Sequence, residues 1–184
     1  MTSPIADFKL FWNEIPTSAR KFILTALIIL VFWKLAYQAY LLPHRTIDKP
    51  LTMITGLTTA KILSIVYNAN IFTSTPDGGY ASIYMGTRKI LRISDGCNAL
   101  EPFIIYCIFI VSFPNGYLRR VGFLIMGICI VFMLNVLRCS ILADLSIYHK
   151  TYTDILHHYV FSLIVYGCIF GLMVWYASKR KEYV

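Results

Sequence analysis

Residues 121–147 read VGFLIMGICIVFMLNVLRCSILADLSI, and the only charged side chains in this run are Arg138 and Asp144. At about 1.5 Å per residue a helix of this length measures about 40 Å, enough to cross a hydrocarbon core of about 30 Å. In lipid a helix satisfies every backbone N–H and C=O within itself, so an apolar run this long reads as a membrane span. On its N-terminal side Pro114, Asn115 and Gly116 mark a tight turn, followed by Arg119 and Arg120. Before the turn, residues 97–113 (CNALEPFIIYCIFIVSF) form another apolar segment. Further out, residues 155–177 lead into Lys179, Arg180 and Lys181, and residues 22–42 carry the single charge Lys34. Four spans follow: 22–42, 97–113, 121–147 and 155–177, the first of them read as uncleaved. The expected fold is an all-α, polytopic transmembrane helical bundle forming one integral-membrane domain over residues 1–184.

Composition points the same way. Of 184 residues 58% are hydrophobic and 14% charged, against about 25% charged in soluble globular domains. The net charge of +8 would suggest nucleic acid in a soluble chain, but the spans exclude that partner. The cysteines at 97, 107, 129, 139 and 168 include no CxxC pair, which disfavours a disulfide framework or zinc ribbon. Arg119, Arg120 and the 179–181 tail share one side if the spans between them cross, and Arg20 and Lys21 precede the first span on that side. The positive-inside rule makes it cytoplasmic. Residues 43–96 then face outward, although they carry Arg45, Lys49, Lys61, Arg88, Lys89 and Arg92. Within them, 51–72 (LTMITGLTTAKILSIVYNANIF) spaces its apolar residues as an amphipathic surface helix, and 80–93 (YASIYMGTRKILRI) reads as a hairpin-like β segment after the turn Pro76–Gly79.

A charged side chain at the centre of a span costs about 2.5–3.5 kcal/mol on insertion scales, so the polar residues inside apolar runs are the functional candidates. They are Lys34, Glu101, Asn135, Arg138, Asp144, His157 and His158. Arg138 lies about 26 Å along the 121–147 span from its cytoplasmic end, near the outer leaflet. Asn135 shares its helical face, whereas Asp144 lies about 240° round the helix. Cys97 opens one span and His157 another, both at that same outer boundary. A thiol, a guanidinium and an imidazole from three helices therefore arrive at one depth. Such a set supports peptide cleavage or transfer: a thiolate attacks a carbonyl, the arginine stabilises the developing oxyanion, and the histidine protonates the leaving amine. Glu101, four residues after Cys97, is expected one turn deeper on the same face, as an ion-pair partner of Arg138 or Lys34. Cys107, Cys129, Cys139 and Cys168 read as packing residues. Adjacent histidines diverge on a helix and no HExxH occurs, so neither metal nor cofactor is expected. A different class of protein also fits, a non-enzymatic membrane subunit in which Arg138, Glu101 and the histidines form a polar network; it would tolerate loss of the Cys97 thiol.

Three strings in order, Gly96-Cys97-Asn98-Ala99-Leu100, Asn135-Val136-Leu137-Arg138 and His157-His158-Tyr159, resemble the exosortase and archaeosortase family of membrane cysteine transpeptidases. The resemblance covers about residues 90–170, and this chain is similar to a compact variant of that family. It implies Cys97 as nucleophile, Arg138 as the essential arginine and a histidine of the 157–158 pair as the acid/base. Helical spacing puts His158 on a polar stripe with Ser162 and Tyr166. The family pattern aligns instead with His157, which is taken as the acid/base, with His158, Asn135, Asn98 and Glu101 as supporting candidates. The resemblance also implies substrates exported across the membrane and ending in a short motif, one membrane helix and a basic tail, together with an acceptor nucleophile. The enzyme itself is then expected in the inner (plasma) membrane, among its lipid, with the active site on the extracytoplasmic side.

Overall fold

The structure, a computed structural model, describes residues 14–74, 80–148 and 161–178. Among these, five helices dominate. Helix α1 spans Thr17–His44 and contains a π-helical turn at Tyr37–Leu41. Pro43 follows that turn; its missing N–H and its ring open the α-helical ladder one turn back. Helix α2 is Asp48–Tyr67, α3 Leu100–Ser112, α4 Tyr117–Tyr148 and α5 Phe161–Ser178. Between α2 and α3 lie strands β1 (Ile71–Ser74), β2 (Tyr80–Met85) and β3 (Arg88–Ser94), paired antiparallel in the order β1-β2-β3.

Among the described residues, four helices are long and apolar enough to cross a membrane: Thr17–His44, Asp48–Tyr67, Tyr117–Ile147 and Phe161–Ser178. This is the polytopic helical protein expected, but the four segments are not the four read from the sequence. Within 97–113 only Leu100–Ser112 is helical, and 13 residues reach about 20 Å. The expected surface helix 51–72 starts earlier, at Asp48, and ends at Tyr67, because Asn68 takes a left-handed conformation (φ 47°) and stops it. Ile71–Ser74 then pairs with β2, Phe72 opposite Tyr84 and Thr73 opposite Ile83. Residues 71 and 72, which periodicity assigned to a helix end, thus begin a third strand, held by pairing with β2. The start of the 155–177 segment lies outside the described residues.

Two cores divide the molecule. In the first, Ala81, Ile83, Ile90 and Ile93 of the sheet pack with Ala60 and Leu63 of α2 and with Cys139 and Ala143 of α4. The buried face of α2 is small and polar (Thr52, Thr55, Gly56, Thr59), so the sheet sits close: a Cβ on Gly56 would meet that of Ala81 at 2.9 Å. Ser146 donates to the Ile90 carbonyl and Tyr67 to Asp144, tying sheet and α2 to the C-terminal end of α4. In the second core Tyr106 and Ile110 of α3, Val131 of α4 and Val165, Ile169 and Tyr176 of α5 interlock. The Tyr106 ring lies on Gly127, and its hydroxyl donates to the Phe123 carbonyl at 2.7 Å. Helix α1 leans on this core through Phe22, whose ring meets Phe109 and Phe113 at 5.4 and 5.9 Å. With 32 residues, α4 is about 48 Å long, longer than a bilayer core, and the sheet is packed on its surplus.

Candidate active site

Strand β3 runs into a single 3₁₀ turn, Asp95–Cys97. Asn98 and Ala99 follow, Ala99 with φ 67°, before α3 begins at Leu100. A non-glycine residue in the left-handed region is uncommon and persists where the surroundings hold it. The surroundings here are polar. The Asn98 side chain, 1% exposed, donates to Asp48 at 3.0 Å and to Thr52 at 3.3 Å, and accepts from the Leu100 N–H at 2.9 Å. Asp48, equally buried, also accepts from Tyr37 at 3.1 Å. On the other side of Cys97, Asp95 accepts two hydrogen bonds from Arg45, at 2.8 and 2.9 Å, and one from Thr52 at 2.8 Å. That bond to Asp95 pushes Arg45 above its ordinary pKa.

The flanks of Cys97 are thus fixed to α1 and α2, and its own carbonyl accepts from Asn135 of α4 at 3.0 Å. Its half-buried thiol packs beside the first core, which includes Cys139, and receives the Ser94 hydroxyl at 3.8 Å. Asn135 lies three residues before Arg138 on α4, and Cys139, in the core that Cys97 packs against, lies one after it. Arg138 is half-buried, and Tyr166 of α5 is within electrostatic reach of both it and Glu101. Three elements meet at this level: the β3–α3 turn, α4 and α5.

The structure bonds Asn135 to the Cys97 carbonyl, with Arg138 three residues further along α4, and turns the Asn98 side chain to Asp48 and Thr52. His157 and His158 lie outside the described residues. Glu101 is not one helical turn below Cys97: the break at Ala99 intervenes, and Glu101 is exposed at the start of α3, within reach of Tyr37 and Tyr166. Lys34 is exposed on α1, and Asp144 binds Tyr67. Sequence reasoning missed the clamp of Tyr37, Arg45, Asp48, Thr52 and Asp95. Its one local signal was the cluster of Arg45 and Asp48 directly after the first apolar run; their partners lie 50 residues away.

Among known proteins, the family model described as Transmembrane exosortase (Exosortase_EpsH) matches residues 11–180. No curated protein and no solved structure matches the chain. A match across nearly the whole chain, on an integral-membrane helical bundle of this kind, means that this protein belongs to the transmembrane exosortase family.

Proposed function

We propose that this chain is a membrane cysteine peptidase or transpeptidase that removes the C-terminal sorting signal of exported proteins. The family is associated with membrane transpeptidation and protein sorting; the particular residues and orientation are this reading's own. His157 takes the proton of the Cys97 thiol, the resulting thiolate attacks the scissile carbonyl, and Arg138 holds the oxygen as it becomes negative. Collapse of the tetrahedral species breaks the C–N bond, and His157 protonates the departing amine. The thioester is then resolved by an acceptor amine or hydroxyl, or by water, which regenerates the thiol. The site faces the extracytoplasmic side, with the 119–120 and 179–181 cationic groups in the cytoplasm.

The observation that supports this reading most directly is the 3.0 Å bond from Asn135 to the Cys97 carbonyl. It joins the turn bearing the thiol to the α4 turn that bears the arginine. An Arg guanidinium in that position presents a planar fork that Lys lacks.

The test is the ratio of precursor to mature substrate in cells carrying each variant, for an exported protein of the same proteome that ends in motif, span and basic tail. Cys97→Ala abolishes processing with the enzyme at normal level in the membrane. Arg138→Ala lowers it about 10²–10³-fold, as for loss of an oxyanion donor, and Arg138→Lys recovers little. Near-normal processing by Cys97→Ala removes the enzyme reading and leaves the non-enzymatic polar network.

A further inference from the structure

The inner face of the sheet is covered by α2 and α4; on its outer face, among the described residues, Phe72, Lys89 and Arg92 are exposed and Ser82 at its centre is buried. On that outer face, Phe72 and Tyr84 stack at 5.4 Å. The Arg92 guanidinium lies 3.5 Å over the Tyr80 ring and the Lys89 ammonium 6.0 Å from it. Lys89 and Arg92 are both exposed, and neither forms an ion pair with a described carboxylate. Tyr80 pairs with Ser94, whose hydroxyl is 3.8 Å from the Cys97 sulfur. The Ser94 end of the outer face therefore adjoins the thiol, which itself packs against the first core. Its cations lie in a segment for which the positive-inside bias favours other residues, so solubility alone does not account for them.

On the orientation proposed above the sheet stands upright along α4, with Ile90 bonded to Ser146 at its upper part and Cys97 bonded to Asn135 below. From Asn135 to Ser146 is about 16 Å along α4, so β3 and its turn descend that distance toward the site. A plane of lipid headgroups would meet only the foot of such a face. An extended polypeptide leaving the thiol outward would follow it for about five residues at roughly 3.3 Å each.

We propose that the outer face receives, in extended conformation, the substrate segment on the N-terminal side of the scissile bond, and that Lys89 and Arg92 select acidic side chains about two to five residues before that bond. The proposal rests on Cys97 as the nucleophile, because a substrate whose anchor helix runs down into the bilayer must leave the thiol upward. The aromatic floor of Phe72, Tyr80 and Tyr84 suits apolar side chains between the acids and strengthens the cations' hold by stacking.

The experiment uses the full chain in neutral-lipid nanodiscs and fluorescent Gly/Ser decapeptides bearing four Glu or four Lys, read by anisotropy. Exposed ion pairs shift an equilibrium by up to about fivefold each, so the Glu peptide binds about 5- to 20-fold tighter than the Lys peptide, a difference that shrinks in high salt. Lys89→Glu with Arg92→Glu inverts the preference, and the inversion itself reports a folded face. Lys89→Arg with Arg92→Lys keeps it. The Glu peptide also slows alkylation of Cys97 by neutral iodoacetamide, since it covers the Ser94 end. Equal binding of both peptides overturns the proposal, as does unchanged preference in the charge-reversed variant. Loss of peptide binding when phosphatidylglycerol enters the disc also overturns it and assigns the face to lipid headgroups. Binding can be repeated in Cys97→Ala, so failure of the nucleophile assignment in the processing assay is read separately.

Discussion

Exchanging one atom type in the clamp isolates what it does. In Asn98→Asp, an oxygen replaces the amide nitrogen that donates to Asp48 at 3.0 Å and Thr52 at 3.3 Å. Two carboxylates then face one another where Asp48 is 1% exposed. Like charges about 4 Å apart at an effective dielectric near 20 repel by about 4 kcal/mol, and the Asp48 oxygen loses its donor as well. The turn around Cys97 should open about 10³-fold more often, read as faster amide exchange in a peptide covering residues 95–103. The pair can relieve its repulsion only by taking up a proton, so the deficit is larger at pH 8 than at pH 5. Adding Asp48→Asn restores a donor with its direction reversed: the new amide donates to the carboxylate at 98, its oxygen still accepts from Tyr37, and the carboxylate at 98 still accepts from Leu100 N–H. The double variant should return to within about tenfold of wild type, a coupling of about 2–3 kcal/mol between the two sites, as expected for residues in contact. Wild-type exchange in Asn98→Asp, or a double variant worse than the single, would refute a direct pairing between these groups.

Three other outcomes follow from the same structure. Gly127→Ala drives a Cβ into the Tyr106 ring, which is fully buried and bonded to Phe123, and should cost about 2–3 kcal/mol; Gly122→Ala meets nothing within 4 Å and should be neutral or gain up to about 1 kcal/mol, both read as thermal midpoints in detergent. His157→Ala should eliminate substrate processing and His158→Ala only reduce it, and the opposite pattern in the precursor-to-mature ratio would reverse their roles. A membrane-impermeant thiol reagent applied outside intact cells should modify Cys97 before the other four cysteines; labelling only after the inner face is exposed would invert the topology.

The helical bundle was legible in the sequence because hydropathy is local. A run such as 121–147 needs no knowledge of its neighbours to be driven into a helix across lipid, and the strings around Cys97, Asn135 and Arg138 stand inside or beside such runs. The position of Arg138 along its own helix, three residues after Asn135, could likewise be counted. Three features depended on the chain's path through space. Ile71–Ser74 became a strand because β2 supplied hydrogen-bond partners, overriding a pattern that continues α2. Cys97 and Glu101 were separated by the left-handed turn at Ala99, which the four-residue spacing cannot reveal. The clamp joins Arg45 to Asp95 and Asp48 to Asn98, each pair 50 residues apart. A buried carboxylate and a buried amide are each costly alone and acceptable only together. Which polar groups meet is therefore fixed by how α2, the sheet and α4 pack, whereas the helical state of long apolar runs such as 22–42 and 121–147 is fixed by their own residues.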